Sequence, residues 1–419
     1  MNQDTCYPTS LTPLDEALHI IEEAVSPLSH WENVPLMEAL DRVAWGDNQA
    51  KIKVPAFNNS AMDGYAVNIA ALNSSGNTSS TLKCIGSSQA GAPFPGRISA
   101  GECVRIMTGA SIPQGADAVV MQETTQRQGD LVTLSDHKLH PGANIRAAGE
   151  DIACDDVIVR RGRRLSPADI GVLASTGYGE LAVYKKLRVA LFATGNELLR
   201  PGEPLRDGAI FETNLHVLGA MLARLNFEVL NLGIIPDSPE KITAAFTRAA
   251  SNCDAIISTG GASVGDSDYT REVFQSFGEV SLYKLAIKPG KPFCFGKKNR
   301  AYYFGLPGNP VSAAVTFHQL VVPALRKISG EGFIRPTMLY AIAKNTIKKR
   351  PGRTDFQRGV YQPSDIASGK LIVAALPAQG SGILSSLSKA NCFIKIDAQR
   401  GDIEQGETLE IIPFDRWIS

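Results

Sequence analysis

The sequence predicts a multidomain protein of class α/β plus β. A doubly wound, mostly parallel sheet stands centrally, with a β-rich domain before it and a small barrel-like β domain after it. Three observations predict this. The chain has 419 residues, more than one typical core holds, so two to four domains are expected. From Leu187 to about Ile328, apolar strands alternate with amphipathic helices, the pattern of a parallel α/β sheet. On either side the segments are short, strand-like and broken by Gly and Pro.

The elements follow in order. Residues 12–25 (TPLDEALHIIEEAV) read as a helix, with Thr12 as cap, Pro13 in the first turn, and Leu14, Leu18, Ile21 and Val25 on one face. Residues 51–150 read as β-rich with many turns, and 151–185 as mixed structure. The basic run RRGRRL beginning at Arg160 reads as a solvated face, with an anion or dimer contact as the minority reading. RVALFA is a buried strand. TNLHVLGAMLARLN is a helix with Leu215, Leu218, Leu222 and Leu225 in one stripe. FEVLNLGII is a strand, followed by a helix capped by Ser238 with Pro239 in its first turn. DAIIS, SDYTREVFQSF, AYYFGLP and VSAAVTFHQLVVPAL continue the strand–helix alternation. Beyond residue 330, RTDFQRGVYQ, KLIVAAL, NCFIKID and ETLEIIPF read as strands of a small all-β domain.

Open α/β sheets collect ligands beyond the carboxyl ends of their strands. Three strands end there in special sequences: TGNEL (194–198), TGGASVGDSD (259–268) and LPGNPVS (306–312). Any one is an ordinary strand-to-helix connection; three at one edge point to a ligand site. The first two deliver Glu197 and Asp268. In the third, Pro307 and Pro310 fix φ and remove donors, Gly308 permits a tight turn, and Ser312 with nearby N–H groups faces the crevice. This rigid turn suits pre-organised binding of a small anion. Lys284, Lys288 and Lys291 lie in YKLAIKPGKPFCFG, and the last two flank Pro289-Gly290 in an apolar context, which favours a fixed phosphate or oxyanion site. Asp63, Glu150 and Asp151 adjoin glycines, and Asp237 stands at a strand end, where helix capping is the ordinary role. Acids together with lysines suit Mg²⁺ and phosphate chemistry. His137 and His140 read as loop residues, because no Cys or acid completes a metal set. No Ser–His–acid arrangement, Walker A or G-x-G-x-x-G stands out.

Lys+Arg and Asp+Glu each number 42, so nothing in the charge supports a general nucleic-acid footprint. Seven cysteines without a CxxC read as a reduced intracellular protein. No signal peptide or bilayer-spanning run is seen, so a cytoplasmic location and no membrane partner are expected.

These motifs in this order resemble the MoeA family of molybdopterin molybdotransferases, with the C-terminal domain of gephyrin among its relatives. The resemblance runs nearly end to end. It rests on SAMDGYAV (60–67), RIMTGASIPQGADAVVMQE (105–123), IRAAGEDI (145–152), TGNEL, STGGASVGDSDYT (258–270), KLAIKPGKP (284–292), GLPGNPVSA (305–313) and PGRTDFQRGV (351–360).

The resemblance implies an elongated homodimer of four-domain subunits. The domains run over 1–57 with 150–184 (discontinuous, mixed, dimerising), 58–149 (β-rich), 185–332 (α/β, molybdopterin-binding type) and 333–419 (terminal β). It implies that adenylylated molybdopterin and molybdate are substrates and that Mg²⁺ is the cofactor. AMP is released and molybdenum is left on the pterin dithiolene. Glu197 and Asp268 match the acids near Mg²⁺ and the pterin phosphate, and Asp237 another functional acid. Asp63, Thr108 and Asp151 match cleft positions reached across the dimer. Thr194, Gly195, Ser258, Gly260, Gly261, Ser263 and Gly265 match the substrate-lining turns. Lys284, Lys288 and Lys291, with Pro307, Gly308, Asn309, Pro310 and Ser312, match the lysine loop and the Pro-Gly-Asn-Pro turn. Molybdate is expected near Lys288, Lys291 and Ser312, with Arg353 and Ser386 contributed by the terminal domain. A molybdopterin adenylyltransferase and acceptor molybdoenzymes are the implied partners. Two positions depart from the pattern: Asn196 and Glu212 stand where relatives carry Asp. The competing readings are a molybdopterin adenylyltransferase and a non-catalytic scaffold of the gephyrin type.

Overall fold

The structure is a computed structural model that describes residues 11–69, 72, 80–135, 140–260, 269–364, 369–415 and 418. Its central sheet has six strands, in the spatial order Glu228–Ile235, Arg188–Thr194, Ala255–Thr259, Ala301–Leu306, Pro292–Lys298 and Glu279–Lys284. The first four are mutually parallel. Both faces are covered, which is why the central strands read as nearly unbroken apolar runs. Leu191, Ile257 and Phe304 face one core with the helices Leu14–Ala24, Asn214–Arg224 and the chain from Pro310 to Ile328. Phe192, Ile256 and Tyr303 face the other with Phe246 and Phe274, from helices Pro239–Asn252 and Tyr269–Phe277. The doubly wound, mostly parallel sheet is therefore present.

Its far edge differs from the sequence reading. Pro292–Lys298, taken as part of a lysine-bearing connection, is a strand, and it pairs antiparallel on both sides. The reversal comes from the loop Leu285–Lys291, closed by the Leu285 N–H donating to the Lys291 carbonyl at 2.9 Å. Thr12 does not cap the first helix; Pro13 occupies that position. Thr12 instead runs beside the lysine loop, its N–H donating to the Lys284 carbonyl and its carbonyl accepting from the Ala286 N–H. The helical run from Pro310 to Ile328 contains a π-helical segment, Phe317–Val321, that ends two residues before Pro323. A proline has no N–H for the preceding turn, so the ladder shifts there.

The terminal domain is a closed five-stranded barrel. Thr354–Pro363, Leu371–Ala375, Leu339–Ala343, Thr408–Pro413 and Cys392–Ile396 pair in that order, and the last returns to the first. Closure removes the edges except at the start of Thr354–Pro363, where Ile287–Lys288 adds. The β-rich region forms a second six-stranded sheet with apolar clusters on both faces. Trp31–Pro35 pairs with Glu180–Tyr184, and Asn48–Gln49 with Val157–Val159, so the chain before and after this sheet comes together.

The basic run is not simply a solvated face. The Arg164 guanidinium donates to the carbonyls of Asp41 and Leu225 and to Glu331, whose side chain is 1% exposed. Arg161 packs on Trp45 and donates to the Tyr184 hydroxyl. The run ties the paired N-terminal segments to the α/β sheet.

Candidate active site

The three special turns meet. Gly260 has φ +83°, and a Cβ there would lie 2.3 Å from the Thr194 carbonyl oxygen and 3.1 Å from its Oγ1. Backbone therefore packs on backbone between the first two turns, an approach only glycine permits. A Cβ on Gly308 would stand 3.7 Å from the Gly260 Cα, so the third turn touches the second. Gly308 lies in the bend between the strand and the helix without a positive φ. Its carbonyl is held by the Asn214 side-chain amide at 2.7 Å.

Thr194 is buried, its hydroxyl 3.2 Å from that of Thr270. Gly195 lets the Glu197 carboxylate fold over the turn; a Cβ there would stand 2.6 Å from Glu197 Oε2. Asp237 does not cap the following helix, because Ser238 does. Asp237 Oδ2 accepts from the Asn196 N–H at 3.1 Å, and the Asp237 N–H donates to Asn196 Oδ1 at 3.2 Å. Glu197 and Asp237 are thus presented by adjacent strand ends. Asp268, Gly261, Ser263 and Gly265, and also His137, lie outside the described residues. His140 contacts the Pro141 carbonyl.

Pro307 ends its strand and is buried, while Gly308 and Asn309 are exposed. Pro310 opens the helix, whose early Val311 N–H donates to the Ser381 carbonyl of the terminal domain. Ser312 is 4% exposed. Lys284 ends the edge strand, and Lys288 and Lys291 lie on the loop after it that the barrel grips: Ile287–Lys288 adds in parallel to Thr354–Asp355, and Lys288 Nζ lies 3.2 Å from Asp355 Oδ2. The Arg353 guanidinium donates to the Ile287 carbonyl at 3.3 Å, so it steadies the loop.

Two expected substrate contacts are buried in core instead. The Ser258 hydroxyl is fully buried, 2.8 Å from that of Tyr303, because its position faces the apolar helix layer. Ser386 is 3% exposed; its hydroxyl donates to the Ile383 carbonyl and accepts from Arg358 Nε. Arg358 escaped the sequence reading. It is 1% exposed on the outer face of its barrel strand, the face of Phe356 and Phe393 that joins the α/β core, and it donates to the carbonyls of Ala378 and Gly380. Nothing local marked it, because its strand, TDFQRGVYQP, mixes polar and apolar residues throughout. Glu212 is also buried. Oε1 accepts from the Leu215 N–H, Oε2 has no partner, and burial pushes the carboxyl up from its ordinary value despite backbone hydrogen bonds that oppose it.

Asp63 and Thr108 form their own unit in the β-rich sheet. The Thr108 N–H and hydroxyl donate to Asp63 Oδ1 at 2.7 and 2.8 Å and hold the carboxyl below its ordinary value. Asp151 is exposed beside the Val54–Ile152 bridge. Among the described residues, none of the three has a hydrogen bond or ion pair to the α/β crevice.

Comparison with known proteins follows this division. Residues 12–177 match the MoeA N-terminal region (domain I and II), 190–327 a probable molybdopterin binding domain, and 340–414 the MoeA C-terminal region (domain IV). The chain is 42% identical over 404 residues to a molybdopterin molybdenumtransferase of Haemophilus influenzae, covering 96% of this chain and 98% of that one. It is 31% identical to a Staphylococcus aureus protein of the same name, over 96% of this chain and 95% of that one. The crystal structure of a molybdopterin biosynthesis moeA protein from Pyrococcus horikoshii superposes with a TM-score of 0.83 at 29% identity, over 97% of this chain and all of that one.

Proposed function

Because the chain belongs to the MoeA family, we propose that it is a molybdopterin molybdotransferase, inserting molybdate into adenylylated molybdopterin with release of AMP. The observation that carries the reading is the convergence of three strand-end turns, at Thr194, Gly260 and Gly308, beside a lysine loop pinned by the barrel. That arrangement pairs acids with fixed cations at the carboxyl edge of the sheet, where open α/β folds bind ligands.

Cleavage of the adenylate phosphoanhydride builds negative charge. Lys284, Lys288 and Lys291 stabilise it electrostatically, and the Pro307–Pro310 turn positions the anion without reorganising. Molybdate is itself an oxyanion nucleophile, so no Ser–His–acid arrangement is required. Asp237, fixed by Asn196, orients the substrate next to Glu197.

No group of three or more metal-ligating side chains occurs among the described residues. Mg²⁺ commonly takes one or two carboxylates plus substrate phosphates and water, and the exposed, hard-oxygen Glu197 carboxylate fits that habit. Glu197 and Asp268 would hold the ion, which supplies charge neutralisation on the phosphates.

The active unit in this reading is a homodimer. Asp63, Thr108 and Asp151, unattached to the crevice within their own chain, complete the site across the two-fold. The exposed Met62 and Met107 beside them suit burial there. A molybdopterin adenylyltransferase supplies the substrate and molybdoenzymes receive the product. Among the described residues no helix is long and apolar enough to cross a membrane. Ser312 and Lys291 line the oxyanion end.

A nucleotide-product assay tests the reading. Molybdopterin with ATP should yield no pyrophosphate, while adenylylated molybdopterin with Mg²⁺ and molybdate should yield AMP. Pyrophosphate release would mark an adenylyltransferase, and neither product would leave a scaffold.

A further inference from the structure

We propose that Asp355, in the first strand of the closed barrel's pairing order, is a positioning residue that holds Lys288 for the oxyanion substrate, so that barrel docking sets the geometry of that lysine. The inference rests on the function proposed above and assigns a role to a residue outside the expected site.

The geometry is specific. Lys288 and Asp355 are register partners where the lysine loop adds in parallel to the barrel. The Asp355 side chain is 4% exposed and that of Lys288 is 52% exposed, so the ammonium reaches from the open crevice onto a buried carboxylate 3.2 Å away. The carboxylate is itself fixed: Gln357 Nε2 donates to the same Oδ2 at 3.3 Å and to the Lys348 carbonyl at 3.0 Å. Two more contacts seat the loop on the barrel, the Thr354 N–H on the Ala286 carbonyl and Arg353 on the Ile287 carbonyl.

The charges around Asp355 do not balance. Besides Lys288, the buried Lys349 ammonium and the buried Arg358 guanidinium both lie within its electrostatic reach. Lys349 donates to the carbonyls of Arg350, Ala398 and Arg400. The groups facing it are Asp355, Lys288 and Asp397; burial pulls its pKa down, and Asp355 opposes that pull. Three cations thus share one buried carboxylate and the more exposed Asp397, which still leaves a positive surplus. The surplus attracts a dianion, whereas the carboxylate repels one. Its contribution is therefore orientation of Lys288 and not affinity.

Asp355→Asn in the full chain separates these effects. Molybdate binding is read by titration calorimetry, and kcat and KM by AMP release. The expected result is molybdate binding about threefold tighter, as a like charge is removed, with kcat lower by about tenfold as Lys288 loses its geometry. The alkaline limb of molybdate binding should move to lower pH, because Lys349 loses the carboxylate that supports its charge. Asp355→Glu should restore part of kcat. With Lys288→Met already present, Asp355→Asn should change kcat by less than about twofold.

Unchanged kcat, or parallel losses of kcat and affinity with an unmoved alkaline limb, would overturn the proposal. So would a wild-type protein that binds no molybdate. Failure of the wild type to release AMP would instead sink the proposed reaction, while calorimetry and the pH limb still decide the role of Asp355. If Asp355→Asn does not fold, Gln357→Leu, which releases the same oxygen without changing charge, should lower kcat by about threefold with molybdate binding unchanged; no change in kcat would overturn the proposal.

Discussion

Asn196 and Asp237 exchange two hydrogen bonds between different strand ends, the N–H of each donating to a side-chain oxygen of the other. The pair joins residues 41 apart and fixes the one described acid beside Glu197.

Asn196→Ala removes the acceptor of the Asp237 N–H but leaves the reverse bond. Because the pair is solvent-accessible, stability should fall by no more than about 1 kcal/mol, while turnover should fall by about tenfold through misplacement of Asp237. Denaturant titration and AMP release check the two separately. Unchanged turnover would remove Asp237 from the site.

Gly260→Ala places a Cβ against the Thr194 carbonyl at a left-handed φ. The backbone must move, and the cost should be at least about 2 kcal/mol. A urea midpoint equal to wild type would show that the turns are not packed as described.

Thr108→Val tests the Asp63 unit. The Thr108 N–H and hydroxyl both lower the Asp63 value from 3.8, and the variant keeps only the N–H bond. A lowered folded value means that the stabilisation is present above 3.8 and is lost as pH falls through the folded value. The carboxyl ¹³C titration of Asp63 should therefore move upward toward 3.8 in the variant. A titration that stays in place would show that the hydroxyl bond is not formed in solution.

Arg164→Met leaves Glu331 with Arg326 and the longer Ser329 hydroxyl bond, in a site where the carboxylate is 1% exposed. Breaking a buried pair on one side should cost about 3 kcal/mol. A loss below about 1 kcal/mol, measured by denaturation, would mean that the pair behaves as an exposed one.

These residues also show where the sequence was readable. The leucine stripe of Asn214–Arg224 and the Ser238 cap follow from local spacing, and both are as expected. So does the alternation that builds the doubly wound sheet, because burial on both faces leaves its mark in each strand. Thr12 was misread because its partners, Lys284 and Ala286, are remote in the chain. The strand Pro292–Lys298 was hidden by the lysine motif running into it. Asp355, Arg358 and the Arg164–Glu331 pair carry no local pattern, since their roles depend on partners that only the folded chain supplies. Ser258 lies within a matching motif and Ser386 was expected from the resemblance, yet both hydroxyls are buried.

The central claim is that the turns of Thr194, Gly260 and Gly308 form an oxyanion-dependent, AMP-releasing site. Single-turnover AMP release from adenylylated molybdopterin with Mg²⁺, with and without molybdate, tests it in wild type and Glu197→Gln. The expected result is release that depends on molybdate and is lost in the variant. Release indifferent to molybdate, or fully retained in Glu197→Gln, would contradict the account.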